Sequence, residues 1–148
     1  MFKHILIPTD GSPQSNKAAK SGIRLAQKLG ACVTGFYAVE LPWPARVHGA
    51  DTVSGRRILT AYGRQAVAAG RKHLSAMHRV AKAASAPFDS IITDSAPADA
   101  GIVNTAKKLQ CDLVVMGSHG RRGLAGVVMG NVTRRVLLNS KVPVLVYR

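Results

Sequence analysis

Five short apolar runs, each separated from the next by a stretch of helical periodicity, constrain this chain more than any other feature. They lie at residues 3–9, 31–39, 88–93, 113–116 and 143–147. Runs this short, broken by Pro8, Gly30, Pro87 and Gly117, are the length of buried strands and too short for buried helices. Between them the apolar residues recur every three or four positions, the spacing of one helix face. The order is β-α-β-α-β-α-β-α-β. Strands joined by helical crossovers run parallel, and a parallel sheet has both faces covered. The expected fold is therefore α/β, a single doubly wound five-stranded parallel sheet with helices on both faces, forming one domain over residues 1–148; its strands are taken in the order 3-2-1-4-5.

Local chemistry sets the helix boundaries. Asp10-Gly11-Ser12-Pro13 is a turn, with Ser12 placed to cap a helix and Pro13 at its first position, where a missing N–H costs nothing. That helix carries Ala18, Ala19, Gly22, Ile23, Leu25, Ala26 and Leu29 on one face and stops at Gly30. Residues 40–55 lose all periodicity and read as a long loop, a length that is often functional or mobile. A long helix follows over 56–85, with Leu59, Tyr62, Ala66, Ala69, Leu74, Met77, Ala81 and Ala84 as its apolar face. A turn at Asp94-Ser95 precedes a helix over 97–109. The last helix opens at Gly130, carries Val132, Val136 and Leu137, and ends near Ser140.

The stretch V-V-M-G-S-H-G-R-R-G-L-A-G-V-V-M-G-N-V-T, residues 114–133, is where function is expected. Glycines fall at every third position, Gly117, Gly120, Gly123 and Gly126, before Gly130 opens the last helix. Glycine lets backbone approach a ligand closely, and the first N–H groups of a helix are unpaired donors. Strand, glycine loop and helix start together make a phosphate site. Arg121 and Arg122 add mobile charge-assisted donors within the loop. In a doubly wound sheet the ligand lies beyond the carboxyl ends of the strands, where neighbours send their helices to opposite faces. If the order is 3-2-1-4-5, that point falls between strands one and four, beside Asp10 and Gly117. A carboxylate there can accept hydrogen bonds from a ribose while the loop takes the phosphates, which describes a mononucleotide site.

These residues resemble the universal stress protein family over essentially the whole chain. The opening I-L-I-P-T-D-G-S is similar to that family's first strand and acidic turn. Gly117, Gly120 and Gly130 match the Gly-x2-Gly-x9-Gly-(Ser/Thr) signature of its ATP-binding branch, and V-P-V-L-V is similar to its last strand. The resemblance implies an adenine nucleotide alpha hydrolase-like fold and an ATP ligand, with or without Mg²⁺, in a stress-response or signalling protein. It also implies a homodimer joined through the C-terminal strand. By the same likeness Asp10 and Gly117 hold the ribose and the backbone at Ala38 meets the adenine. Gly120, Gly130, Asn131, Val132 and Thr133 surround the phosphates, and Thr9, Met116 and His119 line the pocket. Asn131 departs from the signature. It lacks a hydroxyl and is bulkier, but still caps a helix and offers a donor.

Other classes are disfavoured. The loop lacks the Gly-Lys-(Ser/Thr) ending of a P-loop, and no carboxylate in it orients water, so slow ATP hydrolysis is the most this site supports. His4, His48, His73 and His78 have no metal-ligand spacing, and no metal is expected. No apolar run approaches a membrane span, and the N-terminal run is too short for a signal peptide, which fits a cytoplasmic protein. Cys32 and Cys111 adjoin buried strands and read as structural thiols. The charge balance leaves a second reading open. Lys and Arg number 21 against 7 Asp and Glu, a net +14. Arg57, Arg64, Arg71 and His78 repeat every seven residues on the long helix, joined by Lys72, Arg79 and Lys82. Either that flank is a solvated face, or the chain binds a polyanion, nucleic acid or an acidic protein without binding nucleotide.

Overall fold

The computed structural model describes residues 1–40, 53–93, 97–120 and 129–148, with the side chains of 53–59 left aside. The elements are β1 His4–Pro8, α1 Pro13–Leu29, β2 Cys32–Ala38, α2 Val53–Ala83, β3 Phe88–Thr93, α3 Ala98–Lys108, β4 Leu113–Gly117, α4 Asn131–Asn139 and β5 Val144–Tyr147. The sheet is parallel, as the alternation predicts, and its order is the expected β3-β2-β1-β4-β5. The expected readings of residues 41–52, of the Asp94-Ser95 turn and of 121–128, with Arg121, Arg122, Gly123 and Gly126, lie outside the described residues.

Period-two alternation divides the strands between two cores. Ile5, Ile7, Val33, Tyr37, Leu113 and Val115 face α1 and α2, where they meet Ile23, Ala26, Leu74, Met77 and Ala81. Leu6, Phe36, Val114 and Met116 face α3 and α4, against Ile102, Ala106 and Val136. Fully buried side chains of this size contribute about 1.5–3 kcal/mol each. The strands at the centre thus carry apolar residues at consecutive positions because both faces are covered.

The Ser12 hydroxyl accepts from the Ser15 N–H at 3.2 Å, and Gly30 closes α1 in the left-handed conformation, φ 64°. Elsewhere the boundaries shift. The long helix begins at Val53 rather than 56 and ends at Ala83, because Ser85 adopts φ 53° and turns the chain back. Gly70 lies against the Tyr37 ring and Leu74 against Gly35, so one helical turn spans two strand residues. The part of α2 before about Ala66 therefore runs past the carboxyl edge of the sheet. Tyr62, expected on the apolar face, is 40% exposed there. Leu137 is also 40% exposed, and Val136 alone of that pair enters the core. Cys111 is buried, but Cys32 is exposed at the amino end of β2, contrary to its reading as a structural thiol.

Candidate functional site

The crevice forms where β1 and β4 part. After β1, the Thr9 N–H donates to the Phe36 carbonyl at 2.9 Å, and the chain then turns sharply. Asp10 Oδ1 accepts the Ser12 N–H at 3.0 Å, a side-chain-closed turn that fixes the carboxylate. Gly11 sits at φ 80°, a conformation costly for residues with a Cβ. The Thr9 hydroxyl accepts the Gly11 N–H and pairs with the Ser15 hydroxyl, so it braces the turn from within.

On the other wall, the Ser118 N–H donates to the Tyr147 carbonyl at 2.9 Å, and the Gly130 N–H donates to the Ser118 carbonyl at 2.8 Å. The buried Thr133 hydroxyl donates to the Gly117 carbonyl at 2.9 Å. Both ends of the glycine loop are thereby held together over β4. A Cβ on Gly130 would lie 3.3 Å from the Ser118 carbonyl oxygen, and one on Gly120 would lie 2.5 Å from Asp10 Oδ2. The carboxylate and the loop backbone are in contact across the crevice.

Gly130 is the N-cap of α4, and its own N–H is already used. Asn131, Val132 and Thr133 are the first three helical residues, whose N–H groups have no partner within the helix. This corrects the expectation for Asn131. It stands one position inside the helix, exposed, and does not cap it. These donors have the positive end of the helix dipole behind them and follow directly on Gly130, whose Cβ position lies 3.8 Å from the Gly120 nitrogen. The arrangement suits an anion on one side and hydroxyl donors on the other.

The remaining candidates divide. His119 is half-buried, with Nδ1 2.9 Å from the Ser118 hydroxyl. Ala38 is half-buried at the carboxyl end of β2, paired with Thr93. Met116 is buried among the core residues of the α3/α4 face, directly below the end of β4. Arg64 and Arg71 are exposed on α2, and the side chain of Arg57 lies outside the described residues.

Sequence reasoning missed His73. Its ring, half-buried, stacks on Tyr37 at 6.0 Å and fills the space that a Cβ on Gly11 would need. It also missed Gln14, whose side-chain amide donates to the Tyr147 carbonyl at 3.2 Å beside Gly117. The available trace was Gly70, a glycine inside a long helix, which marks close approach. Away from the crevice, burial pushes the Cys111 thiol up to about 11, with Cys32 and Asp112 adding to the shift, so it is a poor nucleophile at neutral pH.

The Universal stress protein family model matches residues 1–148. Universal stress protein MJ0531 of Methanocaldococcus jannaschii is 30% identical over 148 residues, covering 100% of this chain and 83% of that protein. Among solved structures, the hypothetical protein MJ0577 aligns with a TM-score of 0.83 and 23% identity over 99% of this chain and 95% of its own. A universal stress protein solved in complex with cAMP aligns with a TM-score of 0.69 and 23% identity, covering 99% and 97% of the two chains.

Proposed function

The chain belongs to the universal stress protein family, and on that premise we propose that the β1/β4 crevice binds an adenine nucleotide, ATP in the first instance. One observation carries the reading: the Asp10 carboxylate meets Gly120 across the crevice beside three helix-start donors. Asp10 and Gly117 take the ribose, where a fixed carboxylate accepts hydroxyl hydrogen bonds. Gly120, Gly130 and the N–H groups of Asn131, Val132 and Thr133 take the phosphates, in keeping with anion binding at a helix start. The backbone at Ala38 borders the adenine, and Thr9, Met116 and His119 complete the walls. Asp10 is the carboxylate that the described crevice offers, so Mg²⁺ would enter with the phosphates. The relative solved with cAMP supports an adenine ligand in this fold.

The protein acts as a one-domain cytoplasmic sensor in a stress response rather than as a rapid hydrolase. Asn131 at the first helical position supplies its N–H whatever its side chain, which is why loss of the signature hydroxyl leaves the anion site in place. The homodimer forms through β5, which ends the sheet with Leu145 at 40% and nearby Leu138 at 74% exposure. An open strand edge with apolar neighbours is suited to pairing with a second copy.

Calorimetric titration with ATP tests the site. Wild type and Ser12→Ala bind with similar affinity, because the Ser12 hydroxyl faces the Ser15 N–H, whereas Asp10→Ala binds at least about 10-fold more weakly, on the scale of a lost charge-assisted hydrogen bond. Equal affinity in all three proteins removes the site.

A further inference from the structure

The two helices on one face of the sheet carry eleven of the chain's 21 Lys and Arg residues and no Asp or Glu. On α1, Lys17, Lys20, Arg24 and Lys28 recur at helical spacing and are all exposed. On α2, Arg64, Arg71, Lys72, Arg79 and Lys82 are exposed as well. Helices α1 and α2 pack side by side over one core, so these residues form two neighbouring rows on a single surface. Among the described residues none of the nine is ion-paired. The opposite face differs, since there Arg135 meets Asp99 at 3.6 Å between α4 and α3.

We propose that the α1/α2 face docks duplex nucleic acid through its phosphate backbone, without reading sequence. The chemistry of the face selects this partner. A membrane-surface helix inserts large apolar side chains, but the apolar faces of α1 and α2 are spent on the sheet, and Leu137, Leu138 and Leu145 are exposed on α4 and β5 instead. A protein interface concentrates aromatic and apolar anchors and is depleted in Lys, whereas five of these nine cations are Lys. Single strands are held by stacking on exposed aromatics, and Tyr62 is the exposed aromatic the two helices offer among the described residues. What remains is a regular polyphosphate. The rows run along two neighbouring helices, with a cation every three or four residues on α1 and clusters three to seven residues apart on α2, where Arg71 and Lys72 are adjacent, about 5–11 Å of helix axis. Such a face neutralises several phosphates at once and releases their counterions.

Docking on the α1/α2 face is independent of the β1/β4 nucleotide site. The test is fluorescence anisotropy of a labelled 20-base-pair DNA duplex of arbitrary sequence, titrated with full-length protein. Wild type binds in the micromolar range at 50 mM NaCl and loses about 100-fold in affinity by 200 mM, the response expected when about four phosphates are neutralised. The triple variant Lys20→Glu/Arg24→Glu/Arg79→Glu weakens binding about 10-fold or more. The charge-matched variant Lys107→Glu/Lys108→Glu/Lys141→Glu, on the other side of the molecule, changes it less than about 3-fold. Should the first variant fold poorly, the corresponding Gln variant gives the same ranking with a smaller loss. A flat salt response, or equal loss from both triple variants, overturns the proposal. So does tighter binding to the single strand, or binding to phosphatidylserine vesicles with none to the duplex.

Discussion

The Asp10 carboxylate occupies the place where a side chain on Gly120 would begin: a Cβ there would lie 2.5 Å from Oδ2. Because Asp10 Oδ1 is tied to the Ser12 N–H, the carboxylate cannot swing away without opening its turn. Gly120→Ala therefore displaces either the loop or the acid. The expected result is a loss of about 10-fold or more in ATP affinity by calorimetry, equivalent to about 1.4 kcal/mol. Gly120 is exposed, so the melting temperature moves little. Unchanged affinity would separate Gly120 from the ligand.

Gly11 and His73 make a second tight contact, on the reverse side of the same turn. Gly11→Ala meets both the penalty of φ 80° and the imidazole ring. The combined cost is expected to reach about 2 kcal/mol or more in urea denaturation, since the backbone term alone is of order 1–2 kcal/mol. In the double variant Gly11→Ala/His73→Ala the ring is gone and the backbone penalty remains. Part of the loss is recovered there, and strict additivity of the two single changes would show that the residues do not interact.

Thr133→Val keeps the shape of a buried side chain and removes the donor to the Gly117 carbonyl. Leaving that acceptor unpaired costs about 1–3 kcal/mol. Thr133→Ser restores most of it. A valine variant as stable as wild type would mean that the hydroxyl does not hold the glycine loop to β4.

The architecture was legible because each strand and each helix announced itself by a different period, and because parallel crossovers leave few arrangements open. Asp10, Gly117, Gly120 and Gly130 were legible for a related reason. A turn acid and a glycine loop, placed at the ends of strands one and four, must meet once the strand order is known. The His73 contact was not legible, since it joins the middle of α2 to a turn 62 positions earlier and depends on how deeply α2 packs on Tyr37. Tyr62 and Cys32 misled because periodicity and strand membership report a face but not where the opposing layer ends. Asn131 misled by a single residue: Gly130 took the cap, and no side chain closes it.

Asp112 gives a pH-dependent check far from the crevice. Burial tends to raise its carboxyl, but the N–H groups of Lys3 at 2.7 Å and His4 at 3.0 Å outweigh this and hold it below its ordinary 3.8. A carboxyl depressed in the folded state stabilises the protein above its unfolded value, and that stabilisation disappears as pH falls through the folded value. Asp112→Asn should cost about 1 kcal/mol at pH 7, a modest figure for hydrogen bonds at a partly exposed site. The difference from wild type in urea midpoint should shrink as the pH is lowered below 4. A difference that stays constant down to pH 3 would place the effect elsewhere.

The most direct test of the nucleotide site is to heat-denature freshly purified protein, identify what is released by chromatography, and titrate the stripped, refolded protein with ATP, ADP, AMP and cyclic AMP. Released adenine nucleotide, or micromolar binding of ATP by the stripped protein that Asp10→Ala weakens at least about 10-fold, is the expected result. No nucleotide released and no heat of binding with any of the four would contradict it.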